Sequence, residues 1–133
     1  MHKWILVVVC GIVATACSYG TRLADFPPAQ HPNGVSVKVT TSRGEMAGEL
    51  IEMRESGLVF LTFASGKLRL VPYVEIRSAK FEQVGSLVGG GRPPSSQNHQ
   101  RLRLLSRFPQ GMSPDILHKL LQAAGQSELL GAQ

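Results

Sequence analysis

The stretch that decides the fold is 35-VSVKVT-40, in which three valines alternate with polar side chains. Strict alternation of β-branched and polar residues predicts a strand that is buried on one face. Similar segments follow at short intervals and are separated by Gly-containing turns and one short turn at 72–75. We predict further strands at 45–53, 58–63, 67–71 and 76–81.

The second and third of these strands suggest how the sheet is arranged. Gly48 lies inside the second strand, where a glycine often marks a bend or a bulge. Residues 58–63 are apolar on both faces, so we expect this strand to be central. Five short strands in about fifty residues are typical of a small antiparallel barrel. The alternative is a flat five-stranded sheet capped by the C-terminal helix.

The pattern resembles the SH3-like and Sm-like barrels. The resemblance rests on a bent second strand at Gly48 and a one-turn break at Pro72-Tyr73-Val74 before Ile76. It implies a mainly β fold, a five-stranded antiparallel SH3-like barrel over residues 34–84. Barrels of this kind serve many unrelated functions, so the resemblance implies no particular activity.

The first sixteen residues have the layout of a signal peptide. Lys3 precedes the apolar run Trp4–Val13, and the small residues Ala14-Thr15-Ala16 follow it. The run has about ten residues, whereas a helix needs roughly 20 to cross the hydrocarbon core. We therefore predict that residues 1–16 are an export signal.

The next residue is a cysteine, and Val13-Ala14-Thr15-Ala16-Cys17 resembles the lipobox of bacterial lipoproteins. The resemblance implies cleavage before Cys17 and attachment of diacylglyceryl and acyl chains, such as palmitate, to that residue. It places the protein in the cell envelope, and Ser18 suggests the outer membrane if the source is Gram-negative. The competing interpretation is ordinary cleavage after Ala16, which leaves the same N-terminus without lipid.

Cysteine usage favours lipidation. The chain has two cysteines, and Cys10 lies in the segment to be removed. The mature protein then keeps only Cys17, which has no intramolecular partner in an oxidising compartment. Lipidation accounts for this lone thiol, and a membrane lipid is therefore the first partner that we predict.

Two Pro- and Gly-rich segments are predicted to lack regular structure. Residues 17–33 are interpreted as a lipidated tether, and residues 85–100 as a flexible linker before a basic segment and helix at 101–133. The net charge is +5, yet residues 33–84 hold seven Lys/Arg against six Asp/Glu. The excess lies further on, and the candidate contacts to an anionic partner are Arg92, Arg101, Arg103 and Arg107. The alternative is that this basic segment is simply solvated.

A helix is predicted near the C-terminus. Ser113 suits the N-cap, Pro114 the first helical position and Asp115 the first turn. Leucines at helical spacing and a terminal Gly125 complete the pattern, and we expect the apolar stripe to dock on the same domain. The pattern of Arg101-Leu102-Arg103-Leu104 fits either an edge strand or the start of a helix.

No pattern predicts catalysis or a metal or cofactor site. No two histidines have ligand-like spacing, and no nucleophile has an evident base nearby. In a regular strand Glu45 and Glu49 share a face and Glu52 points to the other, and we interpret all three as solvated.

The function that we expect is a membrane-anchored binding or structural module that contacts an envelope protein or a cell-wall polymer. The alternatives are an Sm-like nucleic-acid-binding protein, against which export argues, and a cell-wall enzyme.

Overall fold

Six strands form one antiparallel sheet in the computed structural model, which describes residues 33–131. The predictions for the signal segment, Cys17 and most of the tether lie outside the described residues. Along the sheet the strand order is β4-β3-β2-β1-β5-β6, and two helices follow in sequence. The elements are β1 Ser36–Thr41, β2 Gly44–Met53, β3 Gly57–Thr62, β4 Leu68–Pro72, β5 Ile76–Phe81, β6 Gly85–Gly89, α1 Ser96–Leu105 and α2 Pro114–Ala123.

The mainly β prediction is confirmed, and the first five strands lie close to their predicted positions. In β1, Val37 and Val39 are buried while Ser36 and Lys38 are exposed, as the alternating pattern predicts. Strand β3 is buried on both faces and lies between β2 and β4. A 3-10 turn at Tyr73–Glu75 separates β4 from β5, where a one-turn break is predicted.

The strand count is six rather than five, because residues 85–89 of the predicted linker pair with β5. Strand β6 is short and has glycine at both ends, and only Leu87 and Val88 are apolar, so its sequence carries little periodicity. Gln83, with φ of 76°, forms the turn into it. A left-handed turn residue without glycine is a weak sequence signal.

The rest of the predicted linker leads into a helix. Ser95 caps α1 by accepting a hydrogen bond from the Asn98 backbone N–H at 3.2 Å. The helix includes residues 101–104, for which the sequence left strand and helix open, so this stretch is helical. The predicted C-terminal helix is confirmed as α2, with Ser113 as its N-cap and Gly125 in the left-handed region just after it.

The second strand is bent, but the bulge lies beyond Gly48. The pairing of β2 with β3 shifts register between Leu50 and Glu52, so Ile51 is the extra residue. Gly48 has a different role, since a Cβ there would lie 2.2 Å from the Leu61 carbonyl oxygen. Glycine is therefore required at this position by close approach of the neighbouring strand.

Strand β2 contributes to two hydrophobic clusters, one on each face of the sheet. Leu50 belongs to the inner cluster, which lies between the sheet and Leu102 of α1. Ile51 belongs to the outer cluster on the opposite face, beneath α2. The outer cluster is Ile51, Val59, Leu68, Leu121 and Leu129, with Leu117 and Leu120 of α2 packed against it. The expectation that the α2 stripe docks on its own domain is thus confirmed.

The segment after α2 runs along the outer edge of β4. Leu70 donates its N–H to the Leu130 carbonyl at 2.8 Å, and Arg69 and Leu130 form a parallel bridge. The Gln126 side chain bonds to both backbone groups of Leu68, accepting from its N–H at 2.7 Å and donating to its carbonyl at 2.9 Å. Residues 126–131, which we call the edge tail, therefore cover the β4 edge.

Tyr73 is the buried residue of the 3-10 turn and part of the inner cluster. Its hydroxyl donates to the Arg54 carbonyl at 2.8 Å. Burial raises the pKa of Tyr73 from 10.0 to about 12. No helix in residues 33–131 has the length and apolar character that crossing a membrane requires.

Candidate functional site

A cleft of about 550 Å³ opens at the end of the sheet where β1 turns into β2. One wall is the turn and the start of β2, and the other is β4 with the 3-10 turn and the end of the edge tail. We call it the turn cleft. It is lined by Thr41, Arg43, Gly44, Glu45, Met46, Arg69, Leu70, Val71, Pro72, Glu75 and Gly131.

The cleft exists because β2 is longer than its partner on one side. The ladder between β2 and β3 begins at Gly48, whereas β1 pairs with β2 as far as Gly44. Phe63 donates its N–H to the Ala47 carbonyl at 3.0 Å, and the chain then turns away. Residues 44–46 therefore pair with β1 on one side only, and their other edge borders the cleft.

Charged groups of both signs line the cleft together with apolar side chains. Arg43 lies on the turn and Arg69 on β4, while Glu45 and Glu75 supply two carboxylates. Glu45 pairs with Lys38 at 3.2 Å in an exposed position. Guanidinium groups hold carboxylates and phosphates in fixed geometry. Because Met46 and Leu70 also line the cleft, these groups fit a short segment that carries both charge and apolar surface.

The four arginines singled out in the sequence do not form one basic surface. Arg92 and Arg101 are exposed, on the loop before α1 and on α1 itself. Arg103 donates to the Pro109 carbonyl at 2.9 Å and to the Gln100 side chain at 2.8 Å. Arg107 makes a bidentate contact with Glu49. Two of the four thus have partners within the domain.

The glutamates of β2 correct our interpretation of that strand. Glu49 and Glu52 are buried, each 6% exposed, rather than solvated. The bulge at Ile51 breaks the alternation, so both carboxylates reach the segment that connects α1 with α2. Glu49 binds Arg107 and accepts from the Gly34 N–H at 3.0 Å, while Glu52 accepts from Arg54 at 2.5 Å and from the Met112 N–H. Glu45 alone is exposed.

These carboxylates position the connecting segment rather than a substrate. Arg107 and Phe108 donate their N–H groups to the carbonyls of Leu50 and Ile51, both at 3.0 Å. Residues 106–113 between the helices, which we call the connector, therefore pair with β2 as a strand would, beyond the start of β1. The Glu49 and Glu52 carboxylates hold the two ends of this contact. Such buried acids without a charged partner would be costly, which explains the arginine beside each.

The histidines do not assemble a site. His118 is exposed, as expected, and His99 lies in α1 rather than in a linker. Within residues 33–131, no three His, Cys, Asp or Glu side chains come together as metal ligands. Cys17, the predicted lipidation residue, lies outside the described residues.

Sequence reasoning missed the turn cleft. Its walls come from three stretches that are far apart in sequence, within residues 41–46 and 69–75 and at residue 131. The one usable signal was the length of the second strand, which exceeds that of its neighbours. No protein family model, curated protein or solved structure matches this chain.

Proposed function

We propose that this protein is a lipid-anchored binding module of the bacterial cell envelope, attached through Cys17. One observation carries the proposal: Cys17 directly follows Ala14-Thr15-Ala16 and the apolar run Trp4–Val13. Acyl chains anchor a protein firmly, since each buried CH₂ contributes about 0.8 kcal/mol.

The spacing between the anchor and the domain supports this arrangement. Sixteen residues lead from Cys17 to Asn33, where the described chain begins. A chain of that length reaches at most about 53–58 Å when fully extended. The domain would therefore stay within that distance of the bilayer.

We further propose that the sheet is an SH3-like barrel with one added strand. The order β4-β3-β2-β1-β5, the 3-10 turn between β4 and β5, and the inner cluster support this assignment. A barrel of this kind is a scaffold on which binding sites are built, so the ligand has to be argued from the site.

The turn cleft is the binding site that we favour. It has the size of a ligand pocket, and both charged and apolar side chains line it. Arg43 and Arg69 suit carboxylates, and Glu75 suits an amine. A segment of an envelope protein or of a peptide-bearing cell-wall polymer has this chemistry.

Metabolic labelling with an alkyne fatty acid tests the anchor. The full chain is produced in a bacterium in three forms: unaltered, Cys17→Ala and Cys10→Ala. We expect label on the unaltered chain and on Cys10→Ala, and none on Cys17→Ala. Cys10→Ala is the matched control, because Cys10 lies in the segment that is removed. Equal labelling of the Cys17→Ala chain rejects the proposal.

A further inference from the structure

An aromatic side chain is exposed just after β3, at the end of the domain where β1 and β4 begin. This residue, Phe63, is 61% exposed, the largest exposed fraction of any aromatic residue in the described chain. Its backbone N–H is bonded to Ala47, so the ring is presented by the edge of the sheet rather than by a free loop. Single exposed apolar side chains are common on protein surfaces, so it is the position of Phe63 that matters.

Phe63 lies beside the point where the tether joins the domain. It lines a groove of about 370 Å³ together with Leu61 and with Asn33, Gly34 and Ser36 at the start of the described chain. The ion pair between Glu49 and Arg107 forms another part of the groove. Asn33 is therefore both the first described residue and a neighbour of the exposed ring.

The groove and the turn cleft lie toward opposite ends of β1. Strand β1 begins at Ser36 in the groove and ends at Thr41 in the cleft wall. The five steps between these residues cover about 17 Å at roughly 3.3 Å per residue.

We propose that the Phe63 end of the domain rests on the bilayer that carries the Cys17 anchor, with the ring in the interface. Thr41, in the wall of the turn cleft, then lies up to about 17 Å further from the lipid surface than Ser36 does. This inference rests on the proposed function, because the anchor supplies the bilayer.

Because the tether holds the domain near the bilayer, one aromatic side chain is enough to keep this end of the domain in contact with it. Apolar aromatic rings partition into the boundary between headgroups and acyl chains. A single ring binds a membrane weakly from solution, but a short tether turns the contact into an intramolecular step with a high effective concentration. Because the tether enters beside Phe63, it brings this end of the domain to the surface first.

The test uses tryptophan as a local probe. Trp4 is the only tryptophan in the chain and lies in the signal segment, so the mature chain has none. We would introduce Phe63→Trp or, as the matched control, Val74→Trp. Val74 is 78% exposed and lies beyond the other end of β4. Both positions are on the surface, so neither change should disturb folding.

The mature chain is attached through its single thiol, Cys17, to a maleimide lipid in phosphatidylethanolamine–phosphatidylglycerol vesicles that contain brominated acyl chains. We expect the emission of the Phe63→Trp variant to shift to the blue and to be quenched about threefold more than that of the Val74→Trp variant. Equal quenching of the two variants overturns the inference.

Two further outcomes are informative. If the emission of Phe63→Trp is already blue-shifted in the unattached chain without vesicles, the tether covers the groove and the bilayer is not its occupant. The chemical attachment does not depend on natural lipidation. A chain that fails metabolic labelling but shows quenching in the Phe63→Trp variant therefore contradicts the proposed anchor alone, whereas a labelled chain without quenching contradicts the bilayer contact alone.

Discussion

At the scale of single residues, the carboxylates of β2 show how one extra residue changes the face of the strand on which the following side chains lie. Ile51 is inserted into the ladder, and the side chains after it exchange faces. Glu52 thus joins Glu49 in holding the connector between the helices. Both acids are buried, whereas the sequence led us to interpret them as solvated.

Arg107→Ala tests the contact between the connector and β2. The change leaves the Glu49 carboxylate buried with only the Gly34 N–H as a partner. Loss of one member of a buried pair costs about 3–5 kcal/mol, and partial exposure of Arg107 reduces this to about 2–3 kcal/mol. Urea denaturation measures this decrease in the free energy of unfolding. Arg101→Ala, at an exposed position, is the control and should stay within about 0.5 kcal/mol; equal unfolding midpoints for the two variants would contradict the role of the pair.

Tyr73 gives a prediction in pH. Its pKa in the folded protein, about 12, exceeds the ordinary value of 10.0, so folding favours the neutral phenol. The stability that this group contributes is complete below pH 10, declines as the unfolded chain ionises, and is lost by about pH 12. A Tyr19→Phe variant leaves Tyr73 as the single tyrosine for titration by tyrosinate absorbance. Titration near pH 10 with the fold intact would show that the ring is not buried.

At the scale of elements, the edge tail pairs with the outer edge of β4 as a seventh strand would, although only a few of its residues take part. Leu130 supplies one backbone pair with β4, and Gln126 imitates a second with its side-chain amide. Lys67 adds a bond from its ammonium group to the Ala124 carbonyl at 2.5 Å, which joins the start of β4 to the end of α2.

Gln126→Ala removes both bonds to Leu68. We expect a loss of about 1–2 kcal/mol, since each hydrogen bond contributes roughly 1 kcal/mol. Amide hydrogen exchange should quicken at Leu68 and Leu70 while Leu50, deep in the sheet, stays protected. Gln122→Ala, exposed on α2, is the matched control. Unchanged exchange at Leu68 would mean that the tail does not protect this edge.

Elements with strong periodicity were predictable, and the weakly patterned ones were not. Strand β1 alternates strictly and α2 carries a cap, a first-turn proline and a leucine stripe, so both appear where the sequence places them. Strand β6 has two apolar residues between glycines, and its stability comes from pairing with β5 rather than from its own composition. Tertiary pairing of this kind leaves little trace in the sequence.

At the scale of the whole molecule, the sheet separates two hydrophobic clusters, and β2 and β3 belong to both. Leu50 and Phe60 face the inner cluster, while Ile51 and Val59 face the outer one. In the sequence, the only sign that a strand contributes side chains to both clusters is the apolar run of the third strand. The turn cleft is lined by stretches that are far apart in sequence, so its lining was beyond reach of pattern and spacing.

The edge tail also limits how copies of the protein can associate. Unpaired strand edges invite neighbouring molecules to extend a sheet, and proteins concentrated on a surface meet one another often. With β4 covered by residues 126–131, a neighbouring molecule cannot extend the sheet through that strand. A few residues laid along one strand thus close one outer edge of the sheet to intermolecular pairing.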